Sequence, residues 1–248
     1  MRKLLSADVS RLWINRPFWL TVILMIGLEA VCCLGMLKSH DIPVDAVLFI
    51  SLQGISILIA VFFSLFLGTE YSDGTIRNKI IAGHKRSDIY LTSLITGIVA
   101  ATVIYAAEVL TGVVLGGLLY AAPYNSVGQI VMSGVIGWLA CITFVSVFNM
   151  IGMLSSGKAL TSIICMLTAF VLLFLGLYTF QTLVHPEYLS EVKRAVCQVL
   201  FEINPFGQIL QAMTINIGSP WRLVVYALLV SFVSAGFGLF FFTRKDLK

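Results

Sequence analysis

The chain has 248 residues, 59% of them hydrophobic and only 11% charged, and its mean hydropathy is +0.99. An ordinary soluble domain carries about a quarter charged residues, so this composition excludes a soluble globular protein and indicates an integral membrane protein. The formal net charge of +4 is small and gives no reason to expect a nucleic-acid partner.

In the first 17 residues, Leu5, Val9, Leu12 and Trp13 fall on one helical face. This predicts a helix lying in the inner membrane interface, with Trp13 and Trp19 at headgroup depth. Arg2 and Lys3 before an apolar run have the outline of a secretory leader, but the run is too long and no Ala-x-Ala site follows, so it reads as a retained first span. Crossing a hydrocarbon layer of roughly 30 Å takes about 20 apolar residues. Six runs meet that length, near 18–37, 46–67, 94–120, 128–153, 159–184 and 221–243. None alternates with period 2, which favours helices over barrel strands. The expected fold is an all-α membrane protein forming one domain over residues 1–248.

Glu29 falls near the middle of the first span and Glu108 near the middle of the third. An ionisable group there costs about 2.5 to 3.5 kcal/mol on insertion scales and normally faces protein or a watery cavity. Two readings stand for these residues. They line a path for a cationic or amphipathic substrate, or they are hydrogen-bonded inside the bundle. Gly112 and Gly116 in the third span, and Gly134 and Gly137 in the fourth, fit close helix approach.

Between the second and third spans, residues 68–90 read GTEYSDGTIRNKIIAGHKRSDIY. Asp73 and Thr75 are N-cap candidates, Ile76 and Ile80 are spaced i,i+4, and Gly83 suits a C′ position. A short helix is expected, with Arg77, Lys79, His84, Lys85 and Arg86 in solvent, before a new helix starts at Ser87. Turning between two spans takes fewer residues than this, so docking of a partner is the favoured reading.

After the fifth span, Pro186 suits the first turn of a helix whose apolar positions run through Leu189, Val192, Val196, Val199, Leu200 and Ile203. A second pattern follows Asn204-Pro205 at Phe206, Ile209, Leu210 and Met213. Residues 186–215 are expected to form external helices, and two readings stand for them: a lid that dips into the outer leaflet and packs on the spans, or an ordinary folded external loop.

Positive charge sets orientation. All but Lys38, Lys193, Arg194 and Arg222 of the 16 Lys and Arg residues fall on the side that holds both termini and residues 68–90. That side is expected to be the cytoplasm.

Little in the sequence points to chemistry in the chain itself. Gly152 to Lys158 fits the phosphate-loop pattern GxxxxGK, but Ala159 replaces the Ser or Thr and an apolar span, not a buried strand, precedes it. Lys158 reads instead as a charge holding a tight inner turn. There is no HExxH or GxSxG motif, and His40, His84 and His185 are far apart. Cys32, Cys33, Cys141, Cys165 and Cys197 show no paired spacing. No catalytic residue, metal site or cofactor of its own is expected.

Leu67-Gly-Thr-Glu70-Tyr71-x-x-Gly74-Thr75-Ile-Arg77-Asn-Lys79, followed by Gly83-x-x-Arg86-x-x-Ile89-Tyr90, resembles the cytoplasmic loop after the second span of ABC type-2 exporter permeases, in particular the subgroup associated with bacitracin and lantibiotic resistance. Lys3-Leu4-Leu5-x-Ala7-Asp8-x-x-Arg11-Leu12 with Phe18-Trp19, and Asn204-Pro205-Phe206, are similar to that family's interfacial helix and external segment. The resemblance implies that the loop is a coupling helix seated in a cleft of a separate cytoplasmic ABC ATPase, where ATP and magnesium bind. It implies two permease chains, identical or paralogous, working in a bacterial cytoplasmic membrane among its lipids. Glu70, with Tyr71 beside it, would anchor the base of the loop. Gly74 and Thr75 would turn and cap the helix, Arg77 and Lys79 would face the ATPase, and Gly83 and Arg86 would close the motif. The expected cargo is an antimicrobial peptide or another amphipathic or lipophilic compound, moved outward. Two rivals stand beside this reading: an ion-coupled secondary transporter using Glu29 and Glu108, which predicts an inverted repeat and broken spans not visible in the sequence, and a membrane sensor or scaffold that moves nothing.

Overall fold

The computed structural model describes residues 1–36, 42–155, 157–185, 190–215 and 217–245. Lys38, His40, Pro186, Leu189, Ser156 and Lys248, which enter the sequence reading, lie outside them. The described chain is helical, with no strand among its residues. In order the helices are α1 (Arg2–Ile14), α2 (Arg16–Gly35), α3 (Ile55–Ser72), α4 (Thr75–Ile81), α5 (Arg86–Leu119), α6 (Val127–Leu154), α7 (Lys158–Val184), α8 (Glu191–Ile203), α9 (Pro205–Thr214) and α10 (Pro220–Arg244). Six segments are long and apolar enough to cross a membrane: α2, Val44–Ser72, α5, α6, α7 and α10.

Boundaries follow local chemistry. Asn15 separates α1 from α2 by accepting the Phe18 N–H at 3.0 Å, and Pro17 occupies the first turn of α2. Ser126 and Gln129 form a capping box at the start of α6. α5 has 34 residues, about 51 Å at 1.5 Å per residue, so it overruns the bilayer. Its first turns support α1 and α4.

α6 is central, packed against α3, α5, α9 and α10. Lipid gives helices no hydrophobic reason to associate, so small residues and hydrogen bonds carry much of the specificity. Asn149 of α6 accepts from Ser93 of α5 at 2.8 Å, and Thr143 reaches Ala227 O and Ser231 of α10 at 3.2 and 3.0 Å. Tyr105 of α5 donates to Gly134 O at 2.6 Å. At Gly97 a Cβ would fall 2.1 Å from the Phe63 ring, which is why α5 can seat that ring.

The second span differs from the expected continuous helix over 46–67. It enters as two 3₁₀ turns, Val44–Ala46 and Ile50–Gly54, and becomes α-helical only at Ile55. Non-helical backbone survives at membrane depth only when protein satisfies it. Here Val47, Leu48, Phe49 and Leu52 are all buried, Val44 N donates to Ala121 O at 3.1 Å, and Ala121 N donates to Ile42 O at 3.3 Å. Asp45 Oδ2 closes the same end by accepting from Asn125 N and Nδ2 at 2.6 and 2.8 Å. Gly112 and Gly116 admit the 3₁₀ segment, and Gly112 also admits Glu29 of α2: a Cβ at Gly112 would meet Glu29 Oε1 at 2.8 Å and Leu48 O at 2.9 Å, and one at Gly116 would meet Val44 Cγ2 at 2.5 Å.

The protein-facing side of α1 is Leu4, Asp8 and Leu12, while Trp13 is exposed; Asp8 and Arg11 have protein partners, described below, which turn that side toward the bundle.

At the opposite end, α9 packs on α6, α7 and the Ile50–Gly54 turn, burying Phe206, Ile209 and Ala212. α8 turns Cys197 and Phe201 inward and leaves Val192, Val196 and Val199 outward. Asn204 sits at the elbow between them, accepting the Phe206 N–H at 3.0 Å and donating to Leu172 O of α7 at 2.7 Å. Asn204→Ala removes a cap and strands a carbonyl, so a loss of about 2 kcal/mol is expected, read as a lower melting temperature of the purified chain.

Candidate functional site

The residues of the 68–90 motif gather where α1, α3, α4, the start of α5 and the end of α10 converge. Glu70 ends up buried in the last turn of α3, two residues before its end at Ser72. Its Oε1 accepts from Arg11 Nη1 of α1 at 2.5 Å and from Lys79 Nζ of α4 at 3.1 Å. Lys79 Nζ also meets Asp8 Oδ1 and Oδ2 of α1 at 2.8 and 3.0 Å. Two acids and two bases thus tie three helices together, and their charges cancel. Side-chain exposure is 1% for Glu70, 5% for Asp8, 10% for Lys79 and 32% for Arg11. Removing one member would leave an uncompensated buried charge. Arg11 is fixed further by a bond to Phe66 O at 3.0 Å and by the Phe66 ring, 4.4 Å from its guanidinium carbon.

α4 is set by two left-handed glycines. Gly74, at φ 66° and ψ 14°, occupies the N-cap, and no side chain caps the helix; the expected caps at Asp73 and Thr75 are replaced by this backbone turn. Gly83, at φ 86°, follows the C-cap Ala82 as expected of a C′ residue. A Cβ at Gly74 would meet nothing within 4 Å, so only conformational strain opposes substitution. Gly74→Val is expected to cost about 1 to 2 kcal/mol, to leave membrane insertion intact and to loosen α4, whereas Gly74→Asn is tolerated. Limited proteolysis between α3 and α5 reads the difference.

The faces of α4 are distinct. Ile76 is buried, Thr75, Lys79 and Ile80 are half-buried, and Arg77, Asn78 and Ile81 point out, with Ile81 74% exposed. Lys79 therefore differs from its expected position in solvent: its ammonium is drawn inward by Asp8 and Glu70. Arg86 is also engaged, donating to Thr243 O at 3.2 Å and to Lys245 O at the end of α10. Arg77 and Lys85 are exposed, and His84 is half-buried.

Tyr71 points toward the inner turn between α6 and α7 and donates to Met153 O at 2.5 Å. Lys245 crosses to the same turn, donating to Ser155 O at 2.6 Å, with its ammonium 4.8 Å from the Tyr71 ring centre. Burial holds the Lys245 ammonium below the ordinary lysine range. Lys158 packs its stem against Gly68. Gly152 lies in the last turn of α6 and Lys158 opens α7, so a helix rather than a strand precedes this stretch.

A second polar cluster sits inside the bundle. Glu29 of α2 and Glu108 of α5 are fully buried and meet at Ser51 in the 3₁₀ segment. Ser51 N donates to Glu29 Oε2 at 3.3 Å, and Ser51 Oγ donates to Glu108 Oε1 at 3.1 Å. Cys33 Sγ lies 3.6 Å from Glu29 Oε1. Glu29 thereby supplies an acceptor that the broken helix lacks. Among the described residues no group of three His, Cys, Asp or Glu side chains is placed to hold a metal.

The sequence singles out Glu70, Gly74, Gly83, Glu29 and Glu108; Asp8 and Arg11 enter it only as part of the N-terminal resemblance, with no role, and Ser51 does not enter it at all. A signal existed for Asp8 and Arg11: Leu4, Asp8, Arg11 and Leu12 recur at i, i+4, i+7 and i+8, one helical face. No family model matches the chain, and no curated protein matches it.

Proposed function

We propose that this chain is the transmembrane subunit of an ATP-driven exporter, energised by a separate ABC ATPase that docks on the outer face of α4. The observation that carries the reading is the pairing of an unpartnered α4 surface, Arg77, Asn78 and Ile81, with a buried ionic cluster that ties the opposite face to α1 and α3. A docking element must pass displacement onward rather than absorb it. Glu70 links α4 to the second span, Asp8 and Arg11 link it through α1 to the first, and Arg86 and Tyr71 link its base to α10 and the α6–α7 turn.

In this reading both termini are cytoplasmic, two permease chains face each other, and the α8–α9 unit caps the outer end of the path. ATP favours one arrangement of the two halves, and α4 transmits that bias. The cargo is an antimicrobial peptide or another amphipathic compound, expelled from a bacterial cytoplasmic membrane. Purification from the native membrane should bring down an ABC ATPase, and transport in vesicles should require ATP hydrolysis. Transport by the chain alone would contradict the reading.

One observation favours a second reading. The Glu29–Ser51–Glu108 contact lies in a broken span with no neighbouring cation among its bonds, the kind of site that takes up a proton or cation in secondary transporters. Transport that survives ATP depletion and stops when the proton gradient is collapsed would select it.

A further inference from the structure

A groove of about 360 Å³ runs down the outside of the α2/α3 pair. Arg16 stands at its inner end, Leu20, Leu24, Leu58, Phe62 and Leu65 form much of its walls, and the one hydroxyl on its wall, Thr21 Oγ1, is spent on Pro17 O at 2.9 Å. From Arg16 to Leu24 is about 12 Å along the helix. The groove is therefore an apolar slot, one leaflet's acyl-chain region deep, with a single charge at its mouth.

That charge has no partner among the described residues. Arg16 is exposed and makes no side-chain hydrogen bond or ion pair with them. Of the acids of the same end, Asp8 and Glu70 are bound to Lys79 and Arg11, and Asp88 meets the N-terminal ammonium. The positive end of the α2 dipole adds to the field at the mouth. Trp13 and Trp19 stand beside it, 45% and 43% exposed, with Trp19 Nε1 donating to Trp13 O at 2.9 Å. Such paired indoles mark headgroup depth. A cation at headgroup depth over an apolar slot is complementary to a lipid that carries negative charge above an acyl chain.

We infer that the α2/α3 groove is a binding site for an anionic phospholipid, its phosphate on Arg16 and one acyl chain against Leu20, Leu24, Leu58 and Phe62. The inference needs only that the six helices span a bilayer, and so stands or falls separately from the exporter reading. A lipid held there would brace α2 directly against α3, to which it is otherwise tied through α1 by the Arg11–Glu70 pair.

The test uses the full chain, with whatever copurifies, in nanodiscs of equal phosphatidylglycerol and phosphatidylcholine, followed by detergent extraction and mass spectrometry of retained lipid. Wild type and Arg16→Lys should retain phosphatidylglycerol in excess. Arg16→Gln should lower that retention about fivefold, the effect of losing one headgroup cation, with unchanged melting in detergent. Leu24→Trp, which fills the slot, should lower it as well. Equal retention of the two lipids by wild type, or undiminished phosphatidylglycerol on Arg16→Gln, overturns the proposal. So does a disulfide between two chains carrying Leu20→Cys, which would show a second copy in the groove.

Discussion

Glu70→Ala is expected to lower the unfolding free energy by about 3 kcal/mol and to uncouple ATP hydrolysis from transport while leaving insertion intact. The carboxylate is the one group touching both Arg11 and Lys79, and removing it leaves Asp8 alone to compensate two cations. Water cannot reach Lys79 easily, since its side chain is 10% exposed, so solvent does not replace the lost partner. Arg11, at 32%, is better able to turn outward. The loss should therefore be partly recovered by removing the second cation: Glu70→Gln with Arg11→Gln should cost less than the two single changes together. Thermal unfolding of the purified chain gives the stability arm, and ATP consumed per molecule moved gives the coupling arm. Normal coupling in Glu70→Ala would remove this residue from the path of force.

Glu29→Ala should cost about 3 kcal/mol, because it opens a cavity beside Gly112 and leaves the Ser51 N–H without an acceptor in a span that cannot borrow one from lipid. Glu29→Gln keeps the volume and one acceptor oxygen, so the expected cost is about 1 kcal/mol or less. The same contrast holds for Glu108, whose Oε1 accepts from Ser51 Oγ. These pairs separate support from transport chemistry. An ATP-driven exporter should keep its export in Glu29→Gln and Glu108→Gln, with at most a change in substrate preference, and ion-coupled transport should be lost in both. Vesicle uptake with ATP and with an imposed proton gradient, measured in each variant, distinguishes them.

Much of the helical layout was legible because lipid imposes length and forbids unsatisfied backbone. The six apolar runs map onto α2, Val44–Ser72, α5, α6, α7 and α10 within a few residues, and the helix expected from Ser87 into the third run is α5, which starts at Arg86. What periodicity could not give was the non-helical entry of the second span. Val44 to Gly54 carries Asp45, Ser51 and Gln53 among its apolar residues, but the partners on which its 3₁₀ turns depend lie far off in sequence: Glu29, Gly112, Gly116 and Ala121. Apolar periodicity did not show which side of α1 meets protein: an isolated charge reads as exposed, yet burial went to Asp8, whose carboxylate meets Lys79 of another helix. Lys79 was expected in solvent on the same logic of isolated charge, and its contacts come from another helix. Glycines fared better: Gly74 and Gly83 announce left-handed turns by residue type alone.

The outward face of α4 carries the account. With a photo-reactive residue in place of Arg77 or Ile81, irradiation of native membranes should join the chain to an ATP-binding subunit, and the adduct should change in yield when ATP is trapped unhydrolysed. The same residue placed at Ile76, buried against the bundle, should give no such adduct. An α4 surface that captures no other protein in membranes actively moving substrate would contradict the account.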